Sequence, residues 1–263
     1  MGFAATMLFW TLLQQPAGMT PEEEKAALDR GQKYLDAVAA SWAGKLPQER
    51  LLGVYAGRVW MGTYRVSINS APSGSTAVFQ LVERSDLRVF KWQVSNETRV
   101  LLDARLLPIS GEQTETDNGK TSKLSIMTAY GKWTVKKVKE GKESERNGRL
   151  VAGTTGESQF LPLFVRPDDA GMRMFCLTCE SGVNDFKRLS GTVEKTINGK
   201  SRACQVFQIT NLDDHCEQWF FSDDGQPVEV RFNNKPGEMA IRCRPITDEE
   251  IGKSLSEPLE LSP

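Results

Sequence analysis

Histidine is almost absent from this chain of 263 residues, and neither positive nor negative charge is in large excess. The single histidine is His215, which excludes three-histidine zinc sites and catalytic relays that use several histidines. Lysine and arginine together number 33, against 34 aspartates and glutamates, so the formal net charge is −1. The composition therefore does not indicate a basic nucleic-acid-binding surface, and we expect no nucleic-acid partner.

The sequence motifs of common catalytic sites are also absent. The chain has no Gly-rich phosphate loop, no G-x-S-x-G nucleophile motif, no H-E-x-x-H and no EF-hand loop. Asp213-Asp214 and Asp223-Asp224 look like paired carboxylates, but both pairs lie in predicted turns, where Asp is favoured for local hydrogen bonds. We therefore predict a protein that is not an enzyme, with no catalytic residue and no cofactor.

Long hydrophobic runs are missing, because the longest mostly apolar stretch covers only residues 3–13. A membrane-spanning helix needs about 20 such residues, so no transmembrane span is expected. Small residues follow the run at Ala17-Gly18, where a signal peptidase would cleave, although no Lys or Arg precedes it. Residues 1–18 therefore predict a signal peptide and export to the periplasm, the cell envelope or the medium. A buried N-terminal segment and N-myristoylation are the alternatives.

Residues 21–44 are predicted to form a helix. Thr20-Pro21-Glu22-Glu23 is a capping box with proline at the first helical position, and Gly44 suits the end of the helix. Apolar or small residues recur at spacings of three and four along one face: Leu28, Gly31, Leu35, Val38 and Trp42. This stripe predicts packing on a sheet, since the polar face is not rich enough in Lys and Arg for a membrane-surface helix.

From Leu51 onward the hydrophobic period changes to two, which is typical of strands. Turn sequences separate the strands: Asp117-Asn118-Gly119, Asn198-Gly199, Asp224-Gly225 and Pro236-Gly237. We read residues 140–158, which are polar and rich in Gly, as a loop excursion with a further turn at Asn147-Gly148. The pattern predicts one domain over residues 19–246, followed by an acidic tail over residues 247–263.

The C-terminal strands are predicted at residues 189–197, 200–210, 215–222, 226–233 and 238–245. A four-residue loop at 211–214 would place Val206, Trp219, Val230 and Cys243 in one apolar row. Cys204, Phe221 and Val228 would form the neighbouring row on the same face. Phe207 and Phe220 would fall on the opposite, mostly polar face, where they are exceptions to the pattern.

Three segments carry a family resemblance: Gly57-Arg58-Val59-Trp60-Met61-Gly62, Gln159-Phe160-Leu161-Pro162-Leu163-Phe164, and the stretch from Glu217 to Val228 with its Trp219, Asp-Gly and Pro-Val. The last stretch resembles the ending of a family of uncharacterised exported bacterial proteins. Those proteins are similar in architecture to periplasmic lipoprotein-sorting carriers. The resemblance covers most of residues 50–246 and implies a cell-envelope location and a cavity that holds an acyl chain, without known catalytic residues.

Together these patterns predict a mainly β protein, in which a single curved antiparallel meander sheet forms a half-barrel. The N-terminal amphipathic helix would lie on the concave face. The predicted function is that of a non-enzymatic envelope protein binding a lipid, an acyl chain or an apolar peptide in the curved sheet. The alternatives are a structural scaffold, which binds an envelope protein and whose interior is filled, and a hydrolase of unknown type. The sequence alone does not identify ligand-binding residues.

All five cysteines lie in the C-terminal half: Cys176, Cys179, Cys204, Cys216 and Cys243. Cys176 and Cys179 form a C-x-x-C and are the candidate disulfide residues, since the predicted register separates the other three. Buried unpaired thiols, a redox C-x-x-C and a zinc site that adds Cys204, Cys216 or His215 are the alternatives. A zinc ribbon needs two such knuckles and the chain has one, so no metal site is predicted.

Overall fold

The computed structural model describes residues 19–57, 59–89, 91–178, 182–197, 200–211, 216–233, 241–246 and 251. The predicted signal segment 1–18 lies outside these residues, as does the acidic tail except for Ile251. The predicted turns at Asn198-Gly199 and Pro236-Gly237 lie outside them too. Within the described chain, no helix is long and apolar enough to cross a membrane.

The predicted fold class is confirmed, because the described residues form an N-terminal α-helix, a short 3-10 helix at Leu161–Leu163 and a curved, almost entirely antiparallel sheet. The first part comprises α1 (Pro21–Trp42), β1 (Gln48–Ala56), β2 (Val59–Ser70), β3 (Phe79–Val89), β4 (Trp92–Leu102), β5 (Pro108–Asp117), β6 (Lys120–Ala129), β7 (Lys132–Lys139) and β8 (Lys142–Arg149). The second comprises β9 (Thr154–Thr155), β10 (Met172–Cys176), β11 (Val183–Ile197), β12 (Lys200–Asn211), β13 (Cys216–Phe221), β14 (Pro227–Asn233) and β15 (Ile241–Pro245).

The described strands form one continuous sheet with β8 and β9 at its two edges. The order is β8-β7-β6-β5-β4-β3-β2-β1-β15-β14-β13-β12-β11-β10-β9, so β1 joins the two halves by pairing with both β2 and β15. Only the short β9–β10 pair is parallel among the described strands. The two ends of the sheet approach each other through side chains, since the rings of Trp133 and Phe175 lie 5.6 Å apart. Arg146 also donates a hydrogen bond to the Leu177 carbonyl at 3.2 Å.

Helix α1 begins and packs as its sequence predicts. Thr20 and Glu23 form the reciprocal capping box, and the helix ends at Trp42, two residues before the predicted end. Leu35, Val38 and Trp42 are fully buried in the main core. A Cβ added to Gly31 would lie 2.0 Å from the Arg173 carbonyl oxygen, so only glycine allows the helix to approach β10 this closely.

Residues 156–165, here called the inner strap, cross the same face of the sheet as the helix. Phe160, Leu161 and Leu163 are almost completely buried in the main core beside α1. Trp42 makes edge contacts to Phe79 and to Phe164, each with a centroid distance of 5.4 Å. The helix and the inner strap therefore fill much of the inner face of the sheet, meaning the face that carries this core.

The prediction of a loop over residues 140–158 is wrong in its first half. Residues 142–149 form β8, an edge strand that pairs along its length with β7. The sequence does not predict this strand, because most of its side chains are exposed and apolar residues do not alternate along it. Asn147-Gly148 is not a turn: a Cβ on Gly148 would lie 2.6 Å from the Trp133 ring, so the glycine makes room for that ring.

The predicted register between strands 200–210 and 215–222, which correspond to β12 and β13, is wrong by one residue. Thr210 pairs with Cys216, so five residues rather than four separate the paired positions, and Phe207 instead of Val206 lies opposite Trp219. A slip of one residue moves every side chain of a strand to the other face. Phe207 therefore belongs to the main core, while Val206 and Cys204 join Phe220 in a small cluster on the outer face.

The rest of that predicted row is confirmed. Trp219 lies opposite Val230, and Val230 lies opposite Cys243, all three in the main core. Phe221 also lies in the main core. Val228, which was predicted on the same face, instead packs against the outer cluster because β14 bulges opposite Phe220 and Phe221.

Candidate binding site on the inner face

The predicted cysteine residues are only partly described by the structure. Cys176 ends β10 and is fully buried, with its Sγ 3.2 Å from Thr178 Oγ1 and 3.6 Å from the Gly156 carbonyl oxygen. Cys179 lies outside the described residues, so a disulfide that includes Cys176 or Cys179 stays a prediction. Non-reducing peptide mapping tests it.

Cys204 and Cys243 are free, buried thiols on opposite faces of the sheet. The prediction that they share a face is therefore wrong, for the same reason as the register. Three strand spacings still separate them, because Cys204 lies on β12 and Cys243 on β15. In the described part of the chain, no group of three or more His, Cys, Asp or Glu side chains is placed to hold a metal ion.

One row across the inner face is less buried than the row beside it. Glu217 on β13, Phe232 on β14, Ile241 on β15 and Ala56 on β1 are paired neighbour to neighbour. All four are half-buried, whereas the next row inward, from Trp219 through Val230 to Cys243, is buried. We call these four residues the half-exposed row. Ala56, Phe232 and Ile241 pack against the edge of the main core and remain partly exposed.

Glu217 is the polar member of the half-exposed row. Its Oε2 accepts a weak hydrogen bond at 3.4 Å from Trp219 Nε1. Burial raises the pKa of Glu217 to about 8, the nearby Glu157 adds to the increase, and hydrogen bonds from Trp219 and Gln159 oppose it. Burial also raises the pKa of the Cys243 thiol above its usual range, and the charge of Glu217 contributes.

Glu83 lies deeper on the inner face, near the middle of β3. Only 2% of its surface is exposed. Its Oε2 accepts a hydrogen bond of 2.9 Å from the Tyr64 hydroxyl, while its Oε1 is buried without a hydrogen-bond partner. Burial raises the pKa of Glu83 well above its usual range, and the neighbouring Glu157 acts in the same direction. An unpaired buried acceptor costs roughly 1–3 kcal/mol, so Glu83 weakens the fold as it stands.

Glu157 is the third carboxyl, and the inner strap positions it. Its Oε1 accepts hydrogen bonds of 2.7 Å from the backbone amides of Ser158 and Gln159. Its Oε2 accepts a hydrogen bond of 2.6 Å from Thr178 Oγ1. Glu157 also acts on the pKa of Tyr64, Glu83 and Glu217. We call Glu83, Glu157 and Glu217 the carboxyl cluster.

Aromatic rings connect the carboxyl cluster to the core. Phe160 of the inner strap stacks on Tyr64 at a centroid distance of 4.1 Å and meets Trp219 edge-on at 6.4 Å. Tyr64 is half-buried, and its pKa is raised well above the usual range by burial and by the charge of Glu83. Glu83 and Glu157 are thus buried, whereas Glu217 belongs to the half-exposed row.

The cavities on the first half of the sheet have a different character. Three of them have volumes of about 630, 540 and 590 Å³. Neighbouring cavities share lining residues, namely Arg84 and Arg99 on one side and Glu112 and Thr114 on the other. Charged and hydroxyl side chains predominate in their lining. None of the three is an apolar tunnel for an acyl chain.

Sequence reasoning missed the carboxyl cluster, although two of its residues carried a signal. Glu83 follows Leu81 in the alternating pattern of β3, and Glu217 precedes Trp219 by two in β13. Each is therefore a charged residue at a position where the period of two requires an apolar one. Glu157 had no such signal, because it lies in a segment of irregular backbone.

No protein-family model matches the chain, and no curated protein is significantly similar to it in sequence. A β-barrel-like protein of domain of unknown function DUF1849 from Brucella abortus is 11% identical with a TM-score of 0.48, covering 76% of this chain and 96% of that one. A candidate lipoprotein from Parabacteroides distasonis is 8% identical with a TM-score of 0.24, covering 75% and 92%.

A candidate exported protein with a YmcC-like fold from Bacteroides fragilis is 6% identical with a TM-score of 0.23, covering 75% of this chain and 92% of that one. The similarities are too low to carry an argument about what this chain binds.

Proposed function

We propose that this protein is a non-enzymatic, exported binding protein of the cell envelope. Its ligand is a small molecule with an apolar chain, which lies against the half-exposed row on the inner face. The single observation that supports this site is that Phe232, Ile241 and Ala56 stay half-buried while the row beside them is buried. The proposal of export rests on the apolar run and small residues of segment 1–18.

The filled interior limits the size of the ligand. Helix α1 and the inner strap occupy the part of the inner face that an acyl chain of full lipid length would need. The accessible part is the half-exposed row, so the ligand is short or binds by one end. The same filling supports a second candidate function, a scaffold that binds another envelope protein and no small ligand.

Native mass spectrometry separates these two functions. The protein is purified from the envelope fraction of its host and sprayed without denaturation. We expect a bound mass that is lost in the variant Ile241→Trp, whose indole fills the half-exposed row. The matched control is Val193→Trp, because Val193 is 45% exposed on another part of the sheet. A wild-type spectrum that holds only the bare chain favours the scaffold.

A further inference from the structure

We propose that the turn between β6 and β7 is a docking surface for a lipid bilayer with negatively charged headgroups. We call Met127, Tyr130, Lys132 and Arg149 the hairpin tip. These residues lie on β6, β7, β8 and the turn at Tyr130-Gly131, whereas the half-exposed row lies on β13, β14, β15 and β1. The inference therefore does not depend on the proposed function.

The turn holds a tyrosine where a polar residue is expected. Tyr130 and Gly131 have φ values of 52° and 72°, and a two-residue hairpin turn with two positive φ angles prefers Asn-Gly or Asp-Gly. Asn118-Gly119 and Glu140-Gly141, at the other end of these strands, have the same signs of φ and a polar first residue. Tyr130 is fully exposed, so its ring accepts an unfavourable backbone conformation without packing in the described chain.

The strands around this turn are strongly basic. Residues 120–149 contain nine Lys and Arg against three Glu, although the net charge of the whole chain is −1. Two of these glutamates form ion pairs away from the hairpin tip: Glu140 pairs with Lys120 at 2.7 Å, and Glu145 pairs with Lys136 at 3.5 Å.

Two cations of the hairpin tip face each other without a carboxylate. Lys132 on β7 lies directly opposite Arg149 on β8, and both are exposed. In the described part of the chain, neither forms an ion pair. Like charges in directly opposed positions destabilise a strand pair, so an anionic surface would relieve this repulsion. The like-charged pair at the other end, Lys139 and Lys142, has Glu140 in the turn between its members.

An exposed apolar side chain lies on the same face as these two cations. Ala129 pairs with Lys132, and directly opposed residues share a face of the sheet. Met127 precedes Ala129 by two residues, so it lies on that face as well, and it is 69% exposed. Tyrosine rings are enriched at the headgroup level of membranes, and Lys and Arg are attracted to anionic headgroups. The hairpin tip therefore matches an anionic bilayer surface in both chemistry and charge.

The opposite face of the hairpin anchors the tip to the protein. Trp133 is buried with Leu124, Ile126, Val135 and Leu177, and its Nε1 donates a hydrogen bond of 3.1 Å to the Arg149 carbonyl. Outward-facing residues of the tip can therefore be replaced without removing this packing. None of the three cavities described above is lined by a residue of the hairpin tip, which favours a fluid headgroup layer over a ligand that needs a pocket.

Co-sedimentation with lipid vesicles tests the proposal. One set of vesicles contains phosphatidylcholine alone, and the other contains phosphatidylcholine and phosphatidylglycerol in equal parts. We expect the protein to bind the anionic vesicles at least about tenfold more tightly than the neutral ones, and to lose this preference as salt is added. All variants share the same amino terminus, so any contribution of residues 1–18 cancels when they are compared.

Three variants locate the binding surface. Tyr130→Asn removes the ring and supplies the residue that the turn prefers, so it should fold at least as well as the wild type and bind anionic vesicles about threefold more weakly. Lys132→Gln and Arg149→Gln should each weaken binding about fivefold. Thermal melts check that each variant is folded.

Two matched controls lie on β11, in the other half of the sheet. Val193→Asn removes an exposed apolar side chain, and Lys187→Gln removes an exposed cation. Both controls should bind anionic vesicles as the wild type does.

Several outcomes would overturn the proposal. The protein fails to bind anionic vesicles, binds neutral vesicles equally well, or loses as much affinity in the two controls as in the variants of the hairpin tip. The competing occupant is a protein with an acidic surface. A photoreactive amino acid in place of Tyr130 that cross-links to protein in the envelope fraction, without vesicle binding, would favour that occupant and also overturn the proposal. None of these outcomes bears on the half-exposed row, which Ile241→Trp tests.

Discussion

At the scale of single residues, Trp219 and Glu217 show where the packed part of the inner face ends and its more exposed part begins. Trp219 is fully buried and touches Phe160 and Phe221, so it belongs to the packed part. Glu217, two residues earlier on the same strand and the same face, is half-buried and belongs to the accessible part. The boundary between the packed part of the inner face and the half-exposed row thus falls within one strand, β13.

We predict that Trp219→Ala lowers the free energy of unfolding by about 3–5 kcal/mol, because removing a buried indole leaves a cavity. Chemical denaturation followed by circular dichroism measures the change. Val193→Ala is the control, since Val193 is largely exposed and should change stability by less than about 0.5 kcal/mol. A variant as stable as the wild type would show that the indole does not support the core.

The carboxyl cluster predicts a pH dependence of stability. The pKa of Glu217 is about 8 in the folded chain and has the ordinary value of 4.5 when exposed, so the folded state holds a proton that the unfolded state releases. Stability from this group is therefore complete below about pH 4.5 and is lost as the pH rises to about 8. Burial raises the pKa of Glu83 in the same direction.

Urea denaturation at pH 5 and pH 8 measures this effect. We expect the wild type to lose stability over this interval, and Glu217→Gln to lose less, because the amide does not titrate. Glu112→Gln, on the exposed surface, should follow the wild type. Equal losses in wild type and Glu217→Gln would mean that Glu217 does not hold its proton in the folded chain.

At the scale of elements, one buried ion pair fixes the helix to the sheet. Arg173 on β10 is 1% exposed and forms a bidentate pair with Asp185 of β11, at 2.7 and 2.8 Å. Its Nη1 also donates to Glu24 of α1 at 2.8 Å. The same strand contacts the helix at Gly31, so β10 positions α1 both by charge and by close backbone packing.

Removing this guanidinium leaves two carboxylates without their shared partner. We predict that Arg173→Ala lowers the free energy of unfolding by about 1.5–3 kcal/mol, the range for hydrogen bonds to charged groups. The side chains of Asp185 and Glu24 are 34% and 24% exposed, so water solvates the carboxylates left behind. The matched control is Arg84→Ala, because Arg84 pairs with Glu97 on the exposed surface, where such a pair contributes at most about 1 kcal/mol. Similar losses in both variants would contradict a special role for Arg173.

How much could be predicted from the sequence depends on how local the determining contacts are. Helix α1 and the Asp117-Asn118-Gly119 hairpin were predictable, since the capping box and the positive φ of Asn118 and Gly119 depend on adjacent residues. The register of β12 and β13 was not, because one extra loop residue decides it. Glu83 of the carboxyl cluster depends on a distant partner, Tyr64. Strand β8 pairs with its sequence neighbour β7, but its exposed polar residues lack the alternation that predicts a strand.

At the scale of the whole molecule, the prediction of export concerns the first 18 residues. We expect the mature protein to lack them, because a short apolar run followed by small residues suits signal peptidase. Terminal sequencing of the protein from its host tests this. Recovery of Met1 or Gly2 at the terminus would contradict it.

The pairing of β1 with β15 has a consequence for how the chain is made. Leu52 pairs with Pro245, so this seam joins residues that are separated by most of the chain. A polypeptide that emerges from its amino end carries β1 with one unpaired edge until β15 follows. Such an edge is a template for pairing with other chains. Aggregation therefore competes with folding until β15 pairs with β1. Chaperones that bind the incomplete chain would raise the yield of folded protein.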